Sequence, residues 1–239
     1  MCSGLARGAD EEAPEVARVP QPTSIPTLAL RAVSKQWGDL TVLDEADLEV
    51  PAGVSVFLSG RNGSGKTTLM RILAGLVQPD SGTIALEGIQ HDVDRPAFQR
   101  RLGYVSSGDG GLYARLSVRR NLDVWAGLAL IPARRRRAAI DDWIARFGLE
   151  PLASRRCDRL SLGQRQRVRL AAAFLHQPRL VLLDEPFASL DDEGVDLLIA
   201  ALRELTARGG SSLACAPGTR EATSFDRRFR LVDGRVRAE

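Results

Sequence analysis

The apolar positions of this chain fall into two kinds of run that take turns along it. Beside the short strand Ser211–Ala216, the runs Val54-Ser55-Val56-Phe57-Leu58-Ser59 and Leu180–Leu183 are short, rich in leucine and β-branched residues, and nearly continuous. That pattern predicts strands covered on both faces rather than strands with one wet face. Longer stretches of helical period follow: Thr67–Leu76 with Gly75 as a stop, Ser117–Phe147 broken at Ile131-Pro132, Leu162–Leu175, and Asp192–Ala207. Leu28–Val33, Leu43–Val50, Thr83–Leu86 and Leu102–Ser106 add further strands, and Phe229–Val236 reads as a hairpin around Asp233-Gly234. Strands and helices alternating in this way predict an α/β fold, a largely parallel sheet with helices on its faces. Residues 1–26, rich in proline, alanine and charge, sustain no apolar period and read as a flexible tail before a single domain spanning 27–239.

Composition narrows this picture further. A chain of 239 residues, 44% of them hydrophobic, can bury a core, which excludes global disorder. Its formal charge is only +3, from 33 basic and 30 acidic residues, so no nucleic acid partner is expected. Arg134 to Arg137 read as a solvated helix face paired with acids such as Asp141 and Asp142, the other reading being a patch for anionic partners. His91 and His176 read as surface or helix-packing residues, and Trp125 and Trp143 as core. The cysteines Cys2, Cys157 and Cys215 form no CxxC pair and suit a reducing compartment. No apolar run approaches the roughly 18–20 residues of a membrane helix, so any work at a membrane requires another chain to span it.

The chemistry lies where the first buried strand ends. Gly60-Arg61-Asn62-Gly63-Ser64-Gly65-Lys66-Thr67-Thr68 carries the spacing G-x-x-x-x-G-K-[ST] between a strand and a helix. Glycines let successive N–H groups turn toward phosphate oxygens, and the helix N-terminus adds partial positive charge. Lys66 brings an ammonium to the β- and γ-phosphates, and the Thr67 hydroxyl can ligate Mg²⁺. A plain glycine turn would need neither side chain. A second buried strand ends in Asp184-Glu185, where Asp184 can hold Mg²⁺ and Glu185 can polarise a water attacking the γ-phosphate; an ordinary helix cap is the other reading of that pair.

Between these segments lies Leu160-Ser161-Leu162-Gly163-Gln164, and after them Ser189-Leu190-Asp191. In this order the motifs resemble those of the ATP-binding cassette family, whose signature reads LSGGQ; the likeness covers residues 28–237. The resemblance implies a P-loop NTPase of ABC ATPase type, with a mostly parallel core, an antiparallel β part and a helical subdomain at about 108–160. It also implies ATP and Mg²⁺ as ligands, pairing with a second cassette as homodimer or heterodimer, and separate integral membrane permease subunits above a site on the cytoplasmic face. Ser161, Gly163 and Gln164 would then cover the γ-phosphate held by the second cassette. Trp37 stands where the family places an adenine-stacking aromatic, with a core tryptophan as the other reading.

Three positions depart from the family pattern. Leu162 replaces its first signature glycine. Ser107 stands where relatives carry a metal-ligating glutamine and is a shorter candidate ligand, while Asp109 beside three glycines reads as a flexible loop acid, with a contribution of charge to the site as the other reading. Pro217 falls where relatives carry a γ-phosphate histidine and offers neither side-chain donor nor backbone N–H. ATP binding is expected to survive this loss; hydrolysis is the step placed in question.

Overall fold

β3 (Ser55–Ser59) is buried at every position, because successive side chains enter two separate cores. Val56 and Leu58 pack with Leu69, Met70, Ile72 and Leu73 of α1 (Lys66–Leu73), while Phe57 joins the opposite core with Phe147 and Phe174. β7 (Leu180–Asp184) divides the same way, Leu180 and Leu182 to one side and Val181 and Leu183 to the other, as does β8 (Ser211–Cys215) with Leu213 and Ala214. This division is why those runs show no polar alternation. Each such aliphatic side chain contributes roughly 1.5–3 kcal/mol on burial.

The computed structural model describes residues 25–218 and 220–239; the expected N-terminal tail lies almost wholly outside these residues. β6 (Leu102–Val105), β9 (Arg227–Val232) and β10 (Arg235–Ala238) complete a six-stranded sheet in the order β10-β9-β3-β8-β7-β6, parallel except for the β9–β10 hairpin. A second, antiparallel sheet has the order β2-β1-β4-β5, from β1 (Leu28–Trp37), β2 (Leu40–Val50), β4 (Ser81–Leu86) and β5 (Ile89–Gln90). The two are joined where the Asp44 N–H donates to Gly234 O at 3.0 Å and Arg235 pairs with Asp44.

β1 runs four residues beyond its expected end at Val33. Its register with β2 slips between Leu30 and Gln36, and Ala32 has φ 49°, so bulges break the alternation on which the sequence reading depends. α2 (Arg95–Gln99), absent from that reading, is five residues held by the Asp94 carboxylate, which accepts from the Ala97 N–H at 3.0 Å; it is too short to show a period.

α3 (Val118–Leu128) and α4 (Ala133–Arg146) are separated at the expected break, where Leu130 takes φ 58° and Pro132 precedes the second helix. They pack on α5 (Leu162–Phe174) and, with α6 (Asp192–Ala207), cover one face of the large sheet. Trp143 stacks in that core 5.0 Å from Phe174. Arg137 and Arg119 share Asp141, and Arg146 pairs with Asp142. His91 is buried edge-on to Phe98, and the His176 ring bonds Leu102 O at 3.1 Å; both belong to packing, not to the surface. Among the described residues no helix is long and apolar enough to cross a membrane.

Candidate functional site

Three parallel strands end side by side at one edge of the large sheet. Register pairs Leu58 with Cys215 and Cys215 with Asp184, so the loop after β3 and the Asp184-Glu185 pair leave the sheet in one row. Ligand crevices of open α/β sheets form at this carboxyl edge.

The loop closes onto α1 without help from a side chain. α3, α5 and α6 each have a capping residue, Ser117, Ser161 and Asp191, whose oxygen accepts from the helix's own backbone; α1 begins at Gly65 with no such bond. Its first N–H groups therefore remain available to an incoming anion. Gly65 has φ 100°, and a Cβ there would lie 2.9 Å from Val42 O, so both conformation and space require glycine. Lys66 is buried, its ammonium donating to Gly60 O at 2.7 Å and Arg61 O at 2.9 Å, which arches the loop over its own lysine.

The carboxylates meet this loop from β7. Thr67 Oγ1 donates to Asp184 Oδ1 at 3.3 Å, and Cys215 Sγ lies 3.0 Å from the same oxygen. Asp184 Oδ2 and Ser64 Oγ are buried with no hydrogen-bond partner among the described residues. Buried polar atoms left unpaired are costly, and here two of them lie on the phosphate loop and the neighbouring carboxylate. They fit a phosphate with its divalent cation. No group of three His, Cys, Asp or Glu side chains gathers among the described residues, so a cation at Asp184 depends on hydroxyl and ligand oxygens.

Charge in the site is confined to few groups. Burial, then the charge of Asp184, pushes the Cys215 thiol well above its ordinary range. The same causes push the Tyr104 hydroxyl up to about 12. Both stay neutral near pH 7. Glu185 follows with φ 54°, its N–H bonded to Cys215 O at 2.8 Å, so its side chain departs from the strand direction.

Gly60, Asn62, Gly63 and Ser64 border a cleft of about 650 Å³ that the β9–β10 turn closes on its far side; Pro217 borders it too. Thr68, half-buried, follows Thr67 in the first turn of α1. Trp37 is 53% exposed with the Lys35 ammonium 4.8 Å from its ring, so it is not a core residue; its cross-strand partner Leu40 borders the cleft. Ser107 is half-buried in the bend after β6, whose last residue pairs with Leu183 beside Asp184.

Ser161, Gly163 and Gln164 do not border this cleft. They open α5 as a capping box, the Ser161 hydroxyl accepting from the Gln164 N–H at 3.2 Å while the Gln164 side chain accepts from the Ser161 N–H at 3.1 Å. A Cβ on Gly163 would stand 2.6 Å from Ser189 O, so this glycine lets the segment after the carboxylate pair lie against α5. Leu162 is 57% exposed and leaves that contact undisturbed.

Sequence reasoning missed Cys215 and Tyr104, which signal nothing as isolated strand residues, and it misread Asp109. That carboxylate is not a loose loop acid: Arg165 holds both its oxygens, at 3.0 and 2.8 Å.

Comparison with known proteins bears on the family and the fold. The model of the family described as ABC transporter matches residues 43–188. The chain is 44% identical over 168 residues to the molybdenum import ATP-binding protein ModC of Aromatoleum aromaticum, covering 68% of this chain and 44% of that one. It is 36% identical to the daunorubicin resistance ATP-binding protein DrrA3 of Streptomyces coeruleorubidus, covering 89% and 67%. Against the sulfate/thiosulfate import ATP-binding protein CysA of a Synechocystis strain the identity is 39%, with 75% and 50% covered. The chain thus spans about half the length of several curated relatives it matches. Among solved structures, the ATP-binding subunit of an ABC transporter superposes with TM-score 0.81 at 27% identity, covering 89% and 88%. A dimeric ATP-binding cassette in a post-hydrolysis state, bound to ADP and Pi, gives 0.79 at 26%, covering 89% and 97%. On its motifs, its fold and these likenesses together, the chain belongs to the family of ABC transporter ATP-binding proteins.

Proposed function

We propose that this chain binds and hydrolyses ATP as the cytoplasmic-face subunit of an ABC transporter, paired with a second cassette and energising separate membrane permease subunits. One observation carries the reading: an uncapped helix start, a buried lysine, a hydroxyl on a carboxylate and two orphaned buried oxygens converge on one spot. The α1 amides and Lys66 bind and orient the terminal phosphates. Thr67 and Asp184, with Ser107 as a further candidate, hold a divalent cation, which when bound neutralises phosphate charge. Glu185 accepts the proton of the attacking water. Trp37 stacks on the adenine through its exposed indole. Ser161, Gly163 and Gln164 serve the second cassette's nucleotide.

The test is Mg²⁺-dependent turnover by the chain with its membrane partner, beside Glu185→Gln and Lys66→Ala. Glu185→Gln should lower turnover by about 10²-fold or more while leaving binding intact, and Lys66→Ala should abolish binding. Equal turnover in the native chain and Glu185→Gln sinks the hydrolytic reading. Pro217 on the cleft wall favours a second one, in which the chain binds ATP and completes the partner cassette's site without hydrolysing its own. Removing one preorganised donor from such a site costs about 10²–10³ in rate. With both cassettes reconstituted, this reading expects Glu185→Gln to leave total turnover almost unchanged.

A further inference from the structure

One side chain at the carboxyl edge of the sheet has no role in the nucleotide chemistry above, yet it touches that chemistry. Cys215 ends β8 and pairs in register with Asp184 at the end of β7, so the two side chains leave neighbouring strands toward the same side. That side faces α1, since Cys215 packs in the core that holds Leu182, Leu213, Leu69 and Met70. From α1 the Thr67 hydroxyl reaches the same carboxyl group.

The carboxyl group is held unevenly. Its Oδ1 accepts from Cys215 Sγ at 3.0 Å and from Thr67 Oγ1 at 3.3 Å. Oδ2 has no partner among the described residues, although Asp184 is only 1% exposed. Rotation about the last bond of an aspartate side chain is broad and two-fold, so the residue does not itself decide which oxygen points where. Outside donors must decide it. Thr67 makes the longer bond, and its oxygen is also a candidate cation ligand. Cys215 is completely buried, and its backbone is locked between β7 on one side and β3 on the other. It is the donor that stays in place. A valine there would suit the apolar strand and give no hydrogen bond, whereas a serine would keep a donor and suit the core less.

We propose that Cys215 is a positioning residue: its S–H fixes the plane of the Asp184 carboxyl group through Oδ1, leaving Oδ2 as the oxygen offered to the divalent cation that accompanies the nucleotide. The inference rests on the nucleotide reading above, since it needs a cation-bearing ligand in the cleft, but not on hydrolysis.

Two measurements on the full chain test it, and neither reads turnover. The first is cation affinity, from Mn²⁺ titrations followed by electron paramagnetic resonance with a non-hydrolysable ATP analogue bound. Cys215→Val and Cys215→Ala should weaken Mn²⁺ binding about 10-fold, the scale of a hydrogen bond lost behind a metal ligand, and Cys215→Ser should stay within about 3-fold of the native chain. Reading valine and alanine together guards against one of them failing to fold. Analogue affinity in EDTA should change by less than about 3-fold in all three, because the loop amides and Lys66 hold the phosphates. A residue that only packs predicts the reverse order, with valine like the native chain and serine the damaged one, and that order overturns the proposal. A preference for Cd²⁺ that Cys215→Ser abolishes also overturns it, because the sulfur would then be a ligand itself. The second measurement is the infrared S–H stretch of Cys215 in the ligand-free chain, assigned as the band missing from Cys215→Ser. It should move to higher frequency in Asp184→Ala, as a thiol that loses its acceptor does, and an unmoved band refutes the bond. A native chain that binds the analogue but no Mn²⁺ likewise overturns the proposal. One that binds no analogue at all fails at the earlier step, on the nucleotide reading itself.

Discussion

The phosphate loop and the first two turns of α5 both occupy the start of a helix, and they work by opposite means. At α1 the backbone is the instrument: the helix is left uncapped, glycines set the path, and Lys66 braces the arch from beneath. At α5 the backbone is closed by its own capping box, and the work passes to long side chains that reach 20 to 56 residues along the chain. Backbone chemistry leaves a local trace, because only certain residues permit it. Side-chain chemistry leaves none, because its partners are brought together by the fold.

The sharpest way to break this contrast is at Gly65. Gly65→Ala places a methyl against Val42 at a φ that alanine resists, and it should weaken Mg-ATP binding at least ~100-fold by calorimetry, with about 2–4 kcal/mol lost in denaturant unfolding. Binding that survives this change means the cradle is not made by the backbone. A smaller effect is expected at α5. Arg167→Met keeps the buried stem and removes the bonds to Asp191 and Glu193; because both acids are largely exposed, the loss should be about 1 kcal/mol, with nucleotide affinity unchanged. A fall in affinity instead would place the arginine in the site. The mildest effect concerns Tyr104. Its folded-state pKa, raised to about 12 from 10, means the folded chain keeps a proton the unfolded chain releases, so stability is complete below pH 10 and declines as pH rises above it. Thermal melts of Tyr104→Phe should show a shallower alkaline decline than the native chain, and parallel curves would refute that assignment.

This contrast also explains what could be read in advance. The phosphate loop, the strand before Asp184 and helix 192–207 were legible because spacing and period are local properties. β1 beyond Val33 was not, since its bulges take the alternation out of phase, and neither was the five-residue α2. Within the site, Lys66, Thr67 and Asp184 were named from the chain and do come together, whereas the thiol of Cys215 on Asp184 follows only from strand pairing. Asp109 was misjudged for the same reason: three neighbouring glycines suggest slack, and its restraint comes from Arg165, 56 residues away.

Glu185 shows a further cost of function. Its left-handed backbone, at φ 54°, is strained by roughly 1 kcal/mol for a glutamate, and glycine or asparagine would sit there more comfortably. A chain selected for robustness alone would drift toward those residues at position 185. Screens for heat-tolerant variants of this protein should therefore keep returning replacements that unfold later and have lost the carboxylate, so thermal endurance is a misleading proxy for a working molecule.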